Sequence, residues 1–402
     1  MGDILFLSQR IPYPPDKGDK IRSWRALSHL AARGRVHLGT FIDDPEDAAH
    51  IPIMENMCAS AHIARLNPLF ARARSLKAFG TGAPLSLPYF HDAGLEAWTR
   101  SVMETHDIDA VFVFSSAMAQ YVLQMPEPPR RFLMDFVDVD SEKFRQYADE
   151  RGLASKLVYG REAKKLLAFD KRIADLADVS FFVSDAEADL FKTLAPEVAH
   201  KVQGLSNGID TDYFDPALVT TPKSDFRDFG PGPNIIFTGR MDYKPNVDAV
   251  CWFCENVLPG IKSESPEARF IIAGAAPSAA VTALAADPAV RVTGRVEDMR
   301  PWLAHADLAV APMAIGRGIQ NKVLEAAAMA RPVLTTPQGL EGIDLEPEVH
   351  LFVAEGAQDF LAKAISVLKN KKSEAVGLAA RQVLKDHYSW PARMAGLDDF
   401  LP

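Results

Sequence analysis

Short apolar runs alternate with helix-length amphipathic stretches along this 402-residue chain, and the pattern comes in two successive sets. Alternation of this kind constrains the fold to parallel α/β sheets, because a helix must cross back before the next strand can pair. In the first set the strands read as residues 4–7, 36–41, 61–66, 110–114, 131–136, 179–183 and roughly 198–203. In the second they read as 234–238, 270–273, 290–293, 308–311, 332–335 and 351–353. A proline- and glycine-bearing stretch, residues 215–233, separates the sets. The length exceeds one typical hydrophobic core. The expectation is two Rossmann-like domains facing a cleft: residues 1–208, a linker at 209–233, and residues 234–386. Residues 387–402 read as a final helix with Trp390, Met394, Leu397, Phe400 and Leu401 as its apolar side chains. Two-domain folds of this kind suggest that it packs back on the N-terminal domain.

A formal net charge of −9 argues against nonspecific nucleic-acid binding, which needs a basic surface. No apolar run approaches the length of a membrane span, and the first residues lack the basic start of a signal peptide. Gly2 lacks an acylation context, since Phe6 stands where Ser or Thr is required. The expected location is the cytoplasm. Three cysteines provide no disulfide framework. Cys251 and Cys254 form a C-x-x-C within an apolar helical run and read as core packing. His29, His305 and His350 have no metal-ligand spacing and read as structural.

The stretch Ala311-Pro312-Met313-Ala314-Ile315-Gly316-Arg317-Gly318-Ile319-Gln320-Asn321-Lys322-Val323-Leu324-Glu325 carries the strongest chemical signal. It reads as a buried strand, a glycine-flanked loop and a helix whose positive dipole end meets a ligand. Lys322 and Glu325 point from one helical face. An anion at the helix start with a carboxylate one turn deeper suits a sugar nucleotide; an ordinary βαβ crossover is the other reading. A second strand end, Gly239-Arg240 through Lys244, delivers two cations suited to a diphosphate, or simply two surface cations. The loop Pro12 to Arg22 places Gly18 where its amides meet phosphate, with Lys20 and Arg22 nearby. Neither G-x-G-x-x-G nor a Walker pattern occurs. Gly294-Arg295-Val296-Glu297-Asp298 offers backbone for a nucleobase edge around Arg295 and Val296, and Asp298 is an N-cap candidate for residues 299–306.

Asp138-Val139-Asp140 has the spacing of a metal-binding D-x-D, lines the acceptor side, or only caps a helix. The acceptor side is the preferred reading, because a metal-centred transferase leaves the second half of the chain unexplained. Residues 56–91 contain no Asp or Glu. There Arg65, Arg72, Arg74 and Lys77 interleave with Leu66, Leu69, Phe70, Leu76 and Phe79. This is either peripheral contact with an anionic membrane or a helix with solvated arginines.

Taken together, Gly239-Arg240…Lys244, Gly294 to Asp298 and Gly316 to Pro332 resemble the donor site of GT-B glycosyltransferases of family 4. Ser206-Asn207-Gly208-Ile209-Asp210 is similar to the family's Asn-Gly-x-Asp signature. Pro14 to Arg22, Asp135 to Ser141 and Arg317 to Lys322 resemble sugar transferases of bacterial exopolysaccharide loci, the exosortase (PEP-CTERM) associated group. The resemblance implies a retaining hexosyltransferase with a nucleotide-diphosphate-sugar donor, no metal and no cofactor. The expected acceptor is a polysaccharide precursor, saccharide or lipid-linked, and the expected location is the cytoplasm or the inner face of the plasma membrane. By motif, Arg240 and Lys244 would hold the diphosphate and act in catalysis, and Glu325 the ribose hydroxyls. Amides near Gly318 and Ile319 would hold the sugar, those around Arg295 and Val296 the base, and Gly18 the phosphate. Gly316, Arg317 and Lys322 complete the donor set, with Asp138 and Asp140 on the acceptor side.

Two positions depart from the family. A glutamate expected eight residues before Glu325 is Arg317, and a cation cannot accept hydrogen bonds from sugar hydroxyls. Ser115-Ser116 stands where many relatives carry a histidine. Competing expectations are a nucleotide-sugar epimerase or hydrolase on the same fold, and a non-catalytic sugar-nucleotide-binding or scaffold protein.

Overall fold

The central apolar runs become strands buried on both faces, which is why they read as continuous hydrophobic blocks rather than alternating ones. The computed structural model describes residues 2–125, 127–150, 153–220, 231–314, 319–370 and 372–402. The chain divides into two units, Met1–Asn207 with Arg393–Pro402, and Gly208–Ala392.

The first unit holds the strands β1 (Asp3–Ser8), β2 (Arg35–Ile42), β3 (Ser60–Arg65), β4 (Ile108–Phe114), β5 (Phe132–Val137), β6 (Val179–Phe182) and β7 (Val202–Gly204). They form one sheet in the order β3-β2-β1-β4-β5-β6-β7, parallel throughout. The direction of winding reverses between β1 and β4, which makes that boundary the switch point of the sheet. Ile4, Leu5, Phe6 and Leu7 are fully buried in the central strand. Residues 196–201, partly read as strand, form a 3-10 turn opened by Pro196, whose ring favours the start of a turn. The chain's end also belongs here. Phe400 packs edge-on against Phe181, and Asp398 accepts hydrogen bonds from Arg33 and pairs with His29 at 2.8 Å. The expected helix over 387–402 is instead a π turn Leu384–Tyr388, a short helix Trp390–Met394 and a 3-10 segment Ala395–Phe400.

The second unit holds β8 (Asn234–Thr238), β9 (Arg269–Ala273), β10 (Val290–Gly294), β11 (Leu308–Ala311), β12 (Val333–Thr335) and β13 (Phe352–Val353). Their order is β10-β9-β8-β11-β12-β13, again parallel, with the switch point between β8 and β11. The beginning of the stretch read as a linker is packed rather than free. Ile209 is buried and bridges Ser389, while Arg381 donates to the carbonyls of Thr211, Phe214 and Ala328 and pairs with Asp215 at 3.1 Å. One half-buried guanidinium thus fastens the entry segment to the helix Ser373–Val383. Residues 221–230 of that stretch lie outside the described residues.

Candidate functional site

In the second unit the sequence signals converge on the switch point. β8, β9 and β10 each run into a glycine with positive φ: Gly239 at 149°, Gly274 at 152° and Gly294 at 68°. These backbones are in contact. Gly239 donates to the Ala273 carbonyl at 3.1 Å, and Gly274 to the Gly294 carbonyl at 3.1 Å. A side chain on Gly239 would meet Asn246 Nδ2 at 2.7 Å and the Lys322 stem at 3.6 Å. Asn246 is buried and donates to the Arg240 carbonyl at 2.8 Å, holding the turn after β8. Gly239 is therefore glycine for two reasons, its backbone angle and the space Asn246 occupies, with the Lys322 stem beyond it at ordinary contact distance.

Arg240 and Lys244 stand on this connection, Lys244 as the first residue of the helix Lys244–Asn256. Both side chains are exposed, at 70% and 84%. Each is matched by a local acid, Arg240 with Asp242 at 2.6 Å and Lys244 with Asp248 at 2.9 Å. Exposed pairs of this kind contribute about 0–1 kcal/mol, so either cation can exchange its carboxylate for a diphosphate at little cost.

Across the switch point, β11 leads to the helix Asn321–Ala328, whose N-cap residue Gln320 makes no side-chain capping bond. A helix start of this kind, with its positive dipole end, favours an anion. Lys322 Nζ donates to Gln320 Oε1 at 2.9 Å and lies 5.5 Å from the centre of the Phe237 ring. Burial pulls the Lys322 ammonium down to about 8, against the pull of Glu325. Burial pushes the Glu325 carboxyl up to about 7, opposed by Lys322. Glu325 has no hydrogen-bond partner among the described residues, as a carboxylate waiting for ligand hydroxyls would. Ile319 packs against Gly342 and the core. Gly316, Arg317 and Gly318 lie outside the described residues.

Arg295 is exposed and Val296 half-buried, directly after β10. Asp298 does not cap by the expected route. The helix is Arg300–His305, and Asp298 accepts from the Arg300 amide at 2.9 Å and pairs with its guanidinium at 2.7 Å. Tyr213 lies under that guanidinium, 4.1 Å from ring centre to carbon, and its hydroxyl meets Asp298 at 3.3 Å. Cys251 and Cys254 sit half-buried on Lys244–Asn256, and burial pushes the Cys254 thiol up to about 12, far from a reactive thiolate.

The first unit corrects part of the phosphate-loop expectation. Gly18 opens the helix Gly18–Ala31 directly, three residues earlier than the start read near Ile21, with no side-chain cap and open space at its Cβ position. Lys20 and Arg22, expected beside the phosphate, are each only 1% exposed. Lys20 pairs with Asp47 at 2.6 Å; Arg22 forks onto Asp135 at 2.8 and 3.1 Å and also reaches the Leu205 carbonyl and Asn207. Both cations are spent inside the unit. Their nearness to Gly18 along the chain suggested ligand chemistry because burial is invisible in the sequence.

Asp138 and Asp140 follow β5, after Val137 with φ of 72°. Lys143 Nζ bridges them at 2.8 and 3.0 Å, so the pair already has its cation. Ser115, also at positive φ, donates to Gln9 at 2.9 Å; Ser116 bonds the fully buried Asp170, whose carboxyl burial pushes up to about 8. Gln9, Asp170, Gly274 and Asn246 escaped the sequence reading. Gly274 had a signal: it closes an apolar strand as Gly239 and Gly294 do. Among the basic stretch, Leu69 and Phe70 are 75% and 76% exposed, with Leu76 and Phe79 also exposed. Arg74 and Leu66 do not join them, because Arg74 donates to the Pro88 and Tyr89 carbonyls and Leu66 is buried.

Residues 232–370 match the family model described as glycosyl transferases group 1. The sequence matches none of the curated proteins. Among solved structures, the chain is similar to sucrose-phosphate synthase from Thermosynechococcus elongatus, with a TM-score of 0.66, 16% identity and coverage of 99% of this chain and 98% of that one. It is also similar to Anabaena HepE, determined in complex with UDP, at a TM-score of 0.60 and 15% identity over 99% and 98% of the two chains. A third likeness is to WaaG, a glycosyltransferase involved in lipopolysaccharide biosynthesis, at 0.57 and 17% over 98% and 99%. At such identities these likenesses establish the fold, two Rossmann-like units of GT-B type.

Proposed function

We propose that this protein is a retaining glycosyltransferase of the GT4 type that needs no metal for transfer. It would move a hexose-type sugar from a nucleoside-diphosphate donor to a saccharide or lipid-linked polysaccharide precursor. The observation that carries this reading is that the Lys322 side chain stands beside Gly239 at the switch point of the second sheet, its Cε 3.6 Å from where a side chain on Gly239 would begin. Arg240 and Lys244 stand on one of the two connections there, and Glu325, without a hydrogen-bond partner among the described residues, on the other. The family match over residues 232–370 covers both connections.

In this reading Arg240, Lys244 and Lys322 take the diphosphate and Glu325 accepts from the ribose hydroxyls. Negative charge grows on the diphosphate as the glycosyl bond breaks, so cations placed there favour the transition state over bound donor. The leaving phosphate accepts the acceptor's proton on the face it vacates. The protein's part is then positioning and electrostatics. The exposed Leu69, Phe70, Leu76 and Phe79, with Arg65, Arg72 and Lys77, support peripheral contact with anionic lipid at the inner face of the membrane, where a lipid-linked acceptor would be met.

The test is calorimetric titration with nucleoside diphosphates and their sugars, UDP and GDP first, with and without EDTA. Product analysis with and without acceptor follows. Transfer with the donor's anomeric configuration kept is the expected result. Free sugar alone would indicate a hydrolase, an isomerised donor an epimerase, and binding without turnover a scaffold. No diphosphate binding at all sinks the reading.

A further inference from the structure

At the other end of the first sheet, the N-terminal ends of its strands, lies a polar cluster that the proposed reaction does not use. Asp3 opens β1, His37 lies in β2, and His106 follows the helix Ala93–Thr105. β1 lies between β2 and β4, and its register sets Asp3 opposite Arg35, two residues before His37. Residues two apart on a strand share a face, so the sheet itself brings Asp3, Arg35 and His37 together. His106 is added from the connection into β4.

The donor atoms are spaced as ligands of a common ion would be. Asp3 Oδ2 lies 3.1 Å from His37 Nε2 and 3.5 Å from His106 Nδ1. All three donors lie within 4.8 Å of one another. Ligands about 2.0–2.1 Å from a tetrahedral zinc ion stand about 3.3 Å apart, close to the separation of Asp3 from each of the two imidazoles. The two imidazoles lie 4.3 Å apart, tilted rather than stacked. The outer ring nitrogen of His37, Nδ1, meets Ser60 Oγ at 2.8 Å, the kind of second contact that fixes a ligating imidazole. Asp3 and His37 are buried, whereas His106 is partly exposed. His106 also lines a neighbouring pocket of about 440 Å³ with Arg100, Glu104, Asp107 and Arg130, so this member of the cluster is reached from solvent.

One neighbour competes. The Arg35 guanidinium forks onto both Asp3 oxygens, at 2.7 and 2.8 Å, from a side chain that is 73% exposed. It can swing into solvent.

We propose that Asp3, His37 and His106 form a binding site for a divalent transition metal of the zinc class, a staple between β1, β2 and the end of Ala93–Thr105. Imidazole and carboxylate donors select such ions over magnesium or calcium. The test uses the full chain, stripped of metal by chelator, titrated with Zn²⁺ by calorimetry and with Co²⁺ by visible absorption. Expected are one ion per chain, a tetrahedral Co²⁺ band and a higher Tm with metal. His106→Ala changes a partly exposed ring, so the fold should persist by circular dichroism while affinity falls about 100-fold or more. Ser60→Ala should weaken binding by about 10–100-fold through the second contact. Arg35→Ala should tighten it, because the competing cation is gone. Binding that survives His106→Ala, that is lost instead in Cys251→Ser, or that is unchanged in Arg35→Ala overturns the assignment, as does no uptake at all.

Discussion

The carbonyl oxygen of Gly239 lies 1.7 Å from the point where a side chain on Gly274 would begin. Two strand ends thus touch backbone to backbone, and the site in the second unit is built on that contact. Gly274→Ala should push the β8 connection away from Lys322. We expect a loss of at least ~2 kcal/mol, from overpacking and from an alanine at positive φ, together with loss of donor binding. Gly294→Ala is the control: it has positive φ but open space, so only backbone strain of about 1–2 kcal/mol applies. Equal urea midpoints for the two variants would contradict this account.

Arg240→Ala and Lys244→Ala should each cut turnover by orders of magnitude while leaving Tm within a degree or two of the parent. Their ion-pair partners among the described residues are Asp242 and Asp248, in exposed pairs that add little to stability. Near-normal turnover in both variants removes the clamp from the mechanism.

Lys322 and Glu325 should leave a pH signature. The Lys322 ammonium is depressed to about 8, so its contribution to stability is present above its ordinary value and lost as pH falls through about 8. Glu325 is raised to about 7; its contribution is full below its ordinary value and lost as pH rises through about 7. Lys322→Met should therefore raise Tm near pH 6, where the half-buried cation is charged. The same variant should weaken nucleoside diphosphate binding by about tenfold or more, since it removes a charge-assisted hydrogen bond. In the parent, diphosphate affinity should fall above about pH 8 as Lys322 loses its proton. A lower Tm in Lys322→Met at pH 6 would show that packing by its stem outweighs the cost of the buried charge.

Arg22→Ala should cost about 3–5 kcal/mol in urea unfolding, because it leaves Asp135 buried without its cation. Arg22→Lys should recover little of this, since an ammonium cannot reproduce the fork onto Asp135 while also reaching the Leu205 carbonyl. A variant that unfolds like the parent but loses donor affinity would return Arg22 to the ligand set.

Leu69→Asp with Phe70→Asp should abolish flotation with anionic vesicles and leave Tm unchanged, because both side chains are three-quarters exposed. Equal flotation of the parent with neutral and anionic vesicles would defeat the membrane reading.

Much of the architecture was legible in the chain itself. Strands such as Asp3–Ser8 and Asn234–Thr238 are buried on both faces, so hydrophobicity alone marks them. The glycine after β8 and the Lys322–Glu325 spacing were legible too, because backbone angle and helical periodicity are local properties. Burial and partnership were not local. Lys20 and Arg22 lie beside Gly18 in the chain as ligand-binding cations would, and only packing against Asp47 and Asp135 turns them into internal struts. Asp3, His37 and His106 are spread over about a hundred residues, and no spacing rule joins them; the order β2-β1-β4 does. Sequence determined the periodicities, and through them the two parallel sheets. Tertiary structure decided which charges are free and which are spent, because a side chain's partner depends on which strands become neighbours.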